Sequence, residues 1–376
     1  MRIVHTESSC GWGGQEIRIL SEARGMLKRG HDVLLLCPRE ARIFSEAPRF
    51  EVPVKALPIK HKGLQGVLAL RGFFRSQQAT PVDVINCHSS TDSWLAALAR
   101  ASQSSTPALV RTRHVSAPVP NNFTSRWLYQ SASDRVVTTG EALRLQLIND
   151  NGLDPARVVS VPTGIDLSQY KKADGNSRAK ARAALGIKAG CFVVGIVATL
   201  RSWKGHRYLI DAFAELRRSM PNQMMQLLIV GDGPQRVALE EQIKALELAS
   251  FVTMSGNQND VVRYLHAFDV FALPSYANEG VPQALLQAMA CGVPVITTDA
   301  GAIGEIARSG DTALVVQKQD ASALCRALVE TLIEQGAANL RADRALELVT
   351  RRHSLDAMLD QMAAIFEEAR RGAHHA

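Results

Sequence analysis

The chain repeats one pattern twice: short runs of Val, Ile and Leu with almost no polar alternation, separated by amphipathic stretches of helical length. Such runs suit parallel strands covered on both faces. A sheet with one wet face would instead alternate apolar and polar residues. In the first half the strand candidates are 2–6, 32–37, 83–87, 108–114, 135–138 and 157–162, and the helix candidates are 15–29, 91–101, 125–131 and 140–151. Strand–helix–strand order of this kind builds an α/β domain.

The stretch 169–190 changes character. Lys171, Lys172, Asp174, Gly175, Asn176 and Ser177 read as a solvated connection. The pattern then restarts, with strands expected at 191–199, 225–230, 251–254, 270–273, 295–297 and 313–316. Helices are expected at 206–219, 234–246, 260–266, 282–290, 321–334 and 355–371. The reading is an N-terminal domain over 1–168, a linker over 169–190 and a C-terminal domain over 191–376, whose last helix can pack back on the first domain. Open parallel sheets bind ligands outside the carboxyl ends of their strands, so two such sheets facing each other would enclose a ligand from both sides.

Composition narrows the function. At 376 residues the chain exceeds one ordinary domain, and two units of ~180 residues fit. With 46% hydrophobic and 21% charged residues it has the apolar surface for two cores, which excludes disorder as the dominant state. It contains no uncharged apolar run long enough to span a bilayer and no signal-peptide pattern after Met1, so a cytoplasmic location is expected. The six cysteines are scattered, without C-x-x-C or Cys/His spacing, and read as free thiols rather than metal ligands. The net charge of +7 is uneven: residues 1–170 hold 20 Lys and Arg against 14 Asp and Glu. A basic first half points to an anionic partner. Nucleic acid is excluded by the lack of a K/R-rich block and by only 5% aromatic residues for base stacking.

The strongest local signal runs Ser275-Tyr276-Ala277-Asn278-Glu279-Gly280-Val281-Pro282 and continues through Gln287 to Gly292-Val293-Pro294-Val295. It reads as strand, loop, helix, tight turn, strand. Gly280 permits close backbone approach, Pro282 suits a first helical turn, and the free N–H groups there favour an anion. Gln287 lies eight residues after Glu279, roughly 12 Å along if helical throughout, so the two would grip different parts of an elongated ligand.

Further signals accompany it. Gly13-Gly14-Gln15-Glu16 follows the first strand, where glycines before a helix bring N–H groups near a phosphate. Thr199-Leu200-Arg201-Ser202-Trp203-Lys204-Gly205 supplies two cations able to offset a departing diphosphate. Gly231-Asp232-Gly233-Pro234 follows a strand but does not complete the G-x-G-x-x-G fingerprint, which argues against a nicotinamide dehydrogenase. In Val110-Arg111-Thr112-Arg113-His114, alternation puts both arginines on one face and Thr112 with His114 on the other. His88 ends a neighbouring strand and competes with His114 for one role. Lys60-His61-Lys62, followed by Leu64, Val67, Leu68, Leu70, Arg71, Phe73, Phe74 and Arg75, is a basic amphipathic segment. It fits an anionic bilayer surface, or a surface helix that packs its apolar side inward.

Together these motifs resemble the retaining glycosyltransferases of family 4, which have the GT-B fold: two Rossmann-like α/β domains facing across a cleft. Glu279, Gly280, Pro282 and Gly292-Val293-Pro294-Val295 match that family's pattern, whereas its second Glu is Gln287 here. The resemblance implies that Glu279 faces the donor sugar and that Gln287 meets the ribose hydroxyls as a neutral group. It further implies that Lys204 binds phosphate, with Arg201 serving for a family Arg whose place holds Thr199. Gly13 and Gly14 would approach the diphosphate, and Gly231, Gly280, Val281 and Pro282 would line the donor nucleotide sugar. Gly301 with Glu305 would support that pocket, and Gly164-Ile165-Asp166 is a structural turn. His114 would lie near the reacting centre, and Arg111 and Arg113 would help to bind an anionic acceptor. The implied catalytic set is Glu279, His114, Lys204 and Arg201, with no cofactor. No Asp-x-Asp occurs, which argues against an obligatory metal. The implied partners are a nucleotide diphosphate sugar and a glycan or lipid-linked acceptor of envelope polysaccharide or lipopolysaccharide synthesis, with peripheral contact to anionic membrane. The rival readings are a nucleotide-sugar epimerase on the same fold and a non-catalytic glycan binder.

Overall fold

The computed structural model describes residues 1–77, 79–103, 106–114, 117–277 and 279–374. The chain forms two compact units, Met1–Gly164 with Leu355–Ala376, and Ile165–Ser354.

The first unit is built on seven strands: β1 (Arg2–Thr6), β2 (Asp32–Cys37), β3 (Val54–Ala56), β4 (Val84–Cys87), β5 (Ala108–Arg113), β6 (Arg135–Thr138) and β7 (Val158–Ser160). They lie in the order β3-β2-β1-β4-β5-β6-β7, and every pairing is parallel. Alternate residues feed opposite faces. Ile3, Leu35 and Val110 join one core, while Val4, Leu36 and Leu109 join the other. Both faces are covered, so the strands read as unbroken apolar runs. The helix Leu355–His374 belongs to this unit and supplies Met358, Leu359, Met362, Ile365 and Phe366 to the first core. It fits closely against the helix Gly14–Lys28, where a Cβ at Gly25 would meet Leu359 Cδ1 at 2.3 Å.

The second unit holds β8 (Phe192–Val197), β9 (Met225–Val230), β10 (Val252–Gly256), β11 (Val270–Leu273), β12 (Val295–Thr297) and β13 (Leu314–Val315). The order is β10-β9-β8-β11-β12-β13, again all parallel. In each sheet the chain winds outward from one central strand and then returns to its other side, at β1/β4 and at β8/β11. The carboxyl ends of those strand pairs are topological switch points, where loops diverge and leave a crevice.

Most expected elements form within a residue or two of their expected ends, and the exceptions have physical reasons. The strand expected at 108–114 ends at Arg113, which leaves His114 just beyond the sheet, and the strand expected at 157–162 spans only Val158–Ser160. The edge strand β3 has three residues, Val-Lys-Ala, too few for a readable period. Within 169–190, read as a connection, Gly175–Ala184 is a helix. Asp174 caps it by accepting from Ser177 N–H at 2.6 Å, and Arg178 and Arg182, one turn apart, both reach Asp269. Tertiary partners rather than an apolar stripe stabilise it. The helix Gln335–Arg352 buries Ala338, Ala342, Ala345 and Val349, a stripe of small residues that a hydrophobic count passes over.

Candidate active site

In the second unit, the loops after β8 and β11 leave the sheet at its switch point and are locked to each other. Tyr276 N–H donates to the Trp203 carbonyl at 2.8 Å. A Cβ at Gly205, where φ is +77°, would lie 2.0 Å from the Pro274 oxygen, so only glycine permits this approach. On the other side Gly231, with φ +139°, leaves space for the Ala198 carbonyl, and Leu200 N–H donates to Asp232 O at 3.1 Å. The Gly-x-Gly after β9 therefore serves to hold the Lys204 loop in place.

This bracing brings Lys204 and Glu279 together. Lys204 Nζ lies 2.6 Å from Glu279 Oε1, and the Ser275 hydroxyl donates to the same oxygen at 2.6 Å. The Glu279 side chain is only 6% exposed and that of Lys204 is 19% exposed. Behind them, a Cβ at Gly301 would stand 1.9 Å from the Glu279 carbonyl oxygen, and Ala302 N–H donates to that oxygen at 3.2 Å. Gly301 thus supports the Glu279 backbone directly, and Glu305 ends the short helical turn that follows. Asn278, within the motif, lies outside the described residues.

The remaining second-unit candidates flank this pair in sequence. Gly280, Val281 and Pro282 are buried. Pro282 caps the helix Gln283–Ala290 rather than opening its first turn. Because Glu279 precedes the helix by four residues, the helical spacing expected between Glu279 and Gln287 does not apply. Gln287 is buried and donates from Nε2 to the Tyr170 hydroxyl at 2.8 Å. Arg201 is exposed, with its guanidinium 5.6 Å from the Trp203 ring centre, and it does not join the Lys204–Glu279 pair.

In the first unit, Gly13 stands at the start of the helix that begins with Gly14. The loop before it is organised by buried Glu7. Its carboxylate accepts from Ser9 N–H at 2.6 Å and from Gln15 and Ser89. Burial, together with the nearby Asp92 and Glu16 charges, pushes the Glu7 carboxyl up to about 8. Asp92 accepts from Thr6 Oγ1, Ser89 N–H and His88 N–H, and burial raises it to about 6.

His114 and His88, read as rivals, belong to one row. His114 Nε2 lies 2.9 Å from His88 Nδ1, and His88 Nε2 lies 2.9 Å from His5 Nδ1. Burial lowers all three, to about 4 for His5, and the Arg18 charge depresses His88 and His114 further. The two arginines expected to meet an acceptor turn inward instead. The buried Arg111 guanidinium stacks 4.3 Å from the Tyr129 ring centre, and Arg113 donates to the Tyr129 hydroxyl at 3.0 Å. Tyr129 thus takes the Arg111 guanidinium on its face and an Arg113 N–H on its hydroxyl, which draws both side chains inward. On the opposite face of β5, Thr112 donates to Asn86 Oδ1 at 2.8 Å.

Sequence reasoning gave Ser275 no role beyond opening the motif, and passed over Tyr170, Glu7 and His5 as site residues. His5 carried a signal, since it is the third histidine close to the carboxyl end of a predicted strand. Tyr170 carried none, being 117 residues from its partner.

Comparison with known proteins places this geometry. Residues 12–169 match the family model "Glycosyltransferase Family 4", and residues 191–334 match "Glycosyl transferases group 1". The D-inositol 3-phosphate glycosyltransferase of Rhodococcus jostii (strain RHA1) is 32% identical over 239 residues, which is 61% of this chain and 52% of that protein. The chain spans about half the length of the curated relatives it matches. Anabaena Alr3699/HepE in complex with UDP-glucose superposes with a TM-score of 0.84 at 23% identity, covering 98% of this chain and 100% of the other. WaaG, a glycosyltransferase involved in lipopolysaccharide biosynthesis, gives a TM-score of 0.72 at 17% identity, covering 97% and 99%. With a matching family model on each half and this fold throughout, the chain belongs to the family 4 type of GT-B glycosyltransferases.

Proposed function

We propose that this protein is a retaining, metal-independent glycosyltransferase that moves a sugar from a nucleotide diphosphate sugar to a hydroxyl of a glycan or lipid-linked acceptor, in cell-envelope polysaccharide or lipopolysaccharide synthesis. The observation that carries the reading is the braced Lys204–Glu279–Ser275 group at the switch point of the second sheet. A cation and a carboxylate held side by side suit a donor with a phosphate at one end and sugar hydroxyls at the other. In this reading Lys204 and Arg201 offset the charge that grows on the departing diphosphate, and Glu279 accepts from sugar hydroxyls. Gly231 serves the donor site by holding the Lys204 loop, Gly280, Val281 and Pro282 line the donor, and the Gln287 amide takes a ribose hydroxyl. The bond from the anomeric carbon to the phosphate oxygen breaks as the acceptor oxygen bonds on the same face. The acceptor proton passes to the departing phosphate oxygen. In the first unit His114 is assigned to substrate binding, and Gly13 and Gly14 to backbone contact with phosphate.

The donor proposed for the first assay is UDP-glucose, in view of the HepE complex. An anionic acceptor such as an inositol phosphate suits the basic first half and the R. jostii relative's name. The assay is UDP release from UDP-glucose across a panel of acceptors. Acceptor-dependent release, unchanged by EDTA and reduced about a hundredfold in Lys204→Ala, is the expected result. Failure of UDP-, GDP- and ADP-sugars alike to turn over or to shift the melting temperature would remove the proposal.

Peripheral membrane contact is assigned to the helix Leu64–Ser76. It buries Gly66, Leu70, Phe73 and Phe74 but leaves Leu64 72% and Leu68 53% exposed, close in sequence to Lys60 and Lys62. Among the described residues no helix is long and apolar enough to cross a membrane. Co-sedimentation with anionic but not neutral vesicles, reduced in Leu64→Ser/Leu68→Ser, is expected.

A further inference from the structure

We infer that His5, His88 and His114 form a neutral relay that fixes the proton of His114 on Nδ1, so that His114 presents an N–H donor to a hydroxyl or phosphoryl oxygen. His5 lies on β1, and His88 and His114 follow β4 and β5, three adjacent strands of one sheet. The row therefore steps from the interior towards the ligand edge. His5 is fully buried and His88 is 4% exposed, whereas His114 is half-buried. The His5 and His88 rings lie nearly coplanar, with centres 5.2 Å apart and planes 13° apart, as an in-plane N–H···N bond requires.

Counting protons gives the direction. Three neutral imidazoles carry three N–H protons, and the two contacts of 2.9 Å each use one. The third must sit at an end of the row, on His5 Nε2 or on His114 Nδ1. His5 Nε2 is buried with no hydrogen-bond partner among the described residues, and the ring beside it is Phe366. An orphaned buried N–H is the rarer defect, and a bare acceptor the more tolerated one. The third proton therefore belongs on His114 Nδ1, which has no protein partner among the described residues and is free to meet a ligand. Each ring then donates from Nδ1 to the next ring's Nε2. Asp92 accepts from the His88 backbone N–H and so holds the middle ring's segment in place. His5 acts through His88 and is a positioning residue.

The role against substrate rests on the proposed transferase reading, but the relay itself does not. The test is long-range proton–nitrogen NMR of the full chain labelled with nitrogen-15 histidine at neutral pH, with His114 assigned by the loss of its signals in His114→Gln. The expected pattern for His114 is a protonated Nδ1 and a bare Nε2. His5→Leu leaves His88 Nε2 buried against an apolar side chain, where a bare acceptor is again the tolerated state, so His114 should keep that pattern. His5→Asn should retain it, because the amide N–H can stand where Nδ1–H stood. A protonated Nε2 on His114 in the unaltered chain overturns the inference, as does a switch of His114 to Nε2–H in a cooperatively melting His5→Leu. If His5→Leu does not fold, the unaltered chain and His5→Asn decide. UDP-glucose turnover by His114→Ala is judged separately: full turnover removes the substrate role of His114 and does not alter the NMR result.

Discussion

Lys204 Nζ sits 2.6 Å from Glu279 Oε1, the oxygen that also accepts the Ser275 hydroxyl. One carboxylate oxygen thus takes both a charge-assisted and a neutral hydrogen bond, while the residue itself is buried. Removing the cation leaves a buried carboxylate with only the hydroxyl. Because Lys204 keeps some solvent, Lys204→Met is expected to cost about 2 kcal/mol, below the range for fully buried pairs. Adding Glu279→Leu should recover part of that loss. Urea unfolding of the two single variants and the double variant, read as a cycle, checks this; full additivity would mean the pair is not coupled.

Gly301 and Gly310 both have positive φ, +57° and +74°, but different surroundings. A Cβ at Gly301 would lie 1.9 Å from the Glu279 carbonyl oxygen, and one at Gly310 would meet nothing within 4 Å. Gly310→Ala should cost about 1 kcal/mol of backbone strain. Gly301→Ala should cost several-fold more and displace Glu279, so its donor turnover should fall well below that of Gly310→Ala. Equal melting temperatures and equal turnover would contradict this account.

Gln287 tests the departure from the family pattern. Its amide donates to the Tyr170 hydroxyl, and burial, with the Cys291 and Asp166 charges, pushes that phenol up, so it stays a neutral donor and acceptor. A glutamate there can accept from the same hydroxyl. Gln287→Glu should therefore fold within about 1 kcal/mol of the parent and bind UDP more tightly. Tyr170→Phe, which frees the amide, should weaken UDP. Isothermal titration of UDP against the three proteins decides it; unchanged affinity in both variants would take Gln287 out of the donor site.

His206 opens the helix after Lys204 and is buried, with neither ring nitrogen hydrogen-bonded among the described residues. Burial, helped by the Lys204 charge, lowers it from 6.5 to about 3. The unfolded chain gains its proton near 6.5, the folded chain only near 3. Stability from this group is therefore complete above 6.5 and is lost as pH falls through the window to about 3. His206→Leu should remove a slope of at most about 1.4 kcal/mol per pH unit. His5, His88 and His114, which burial also lowers, keep the rest of the acid limb. Urea unfolding of both proteins at neutral and mildly acidic pH checks it, and parallel curves would refute the assignment.

Much of this architecture was legible in the residues. Runs such as Val33-Leu34-Leu35-Leu36 and Leu227-Leu228-Ile229-Val230 suit strands covered on both faces, and they became β2 and β9. The Glu279–Val295 motif and the Lys204 loop carried the family, because the glycines and prolines that a tight ligand loop requires leave a local mark. The helix Gly175–Ala184 was hidden, since what stabilises it is Asp269, more than eighty residues away. The row from His5 through His88 to His114, the pairing of Gln287 with Tyr170 and the inward turn of Arg111 onto Tyr129 were decided by tertiary structure alone. Local sequence sets backbone propensity and the period of burial, and these act over a few residues. Which side chains share a hydrogen bond depends on strand order and register, which appear only when distant segments pack and bury the polar groups that must then find partners.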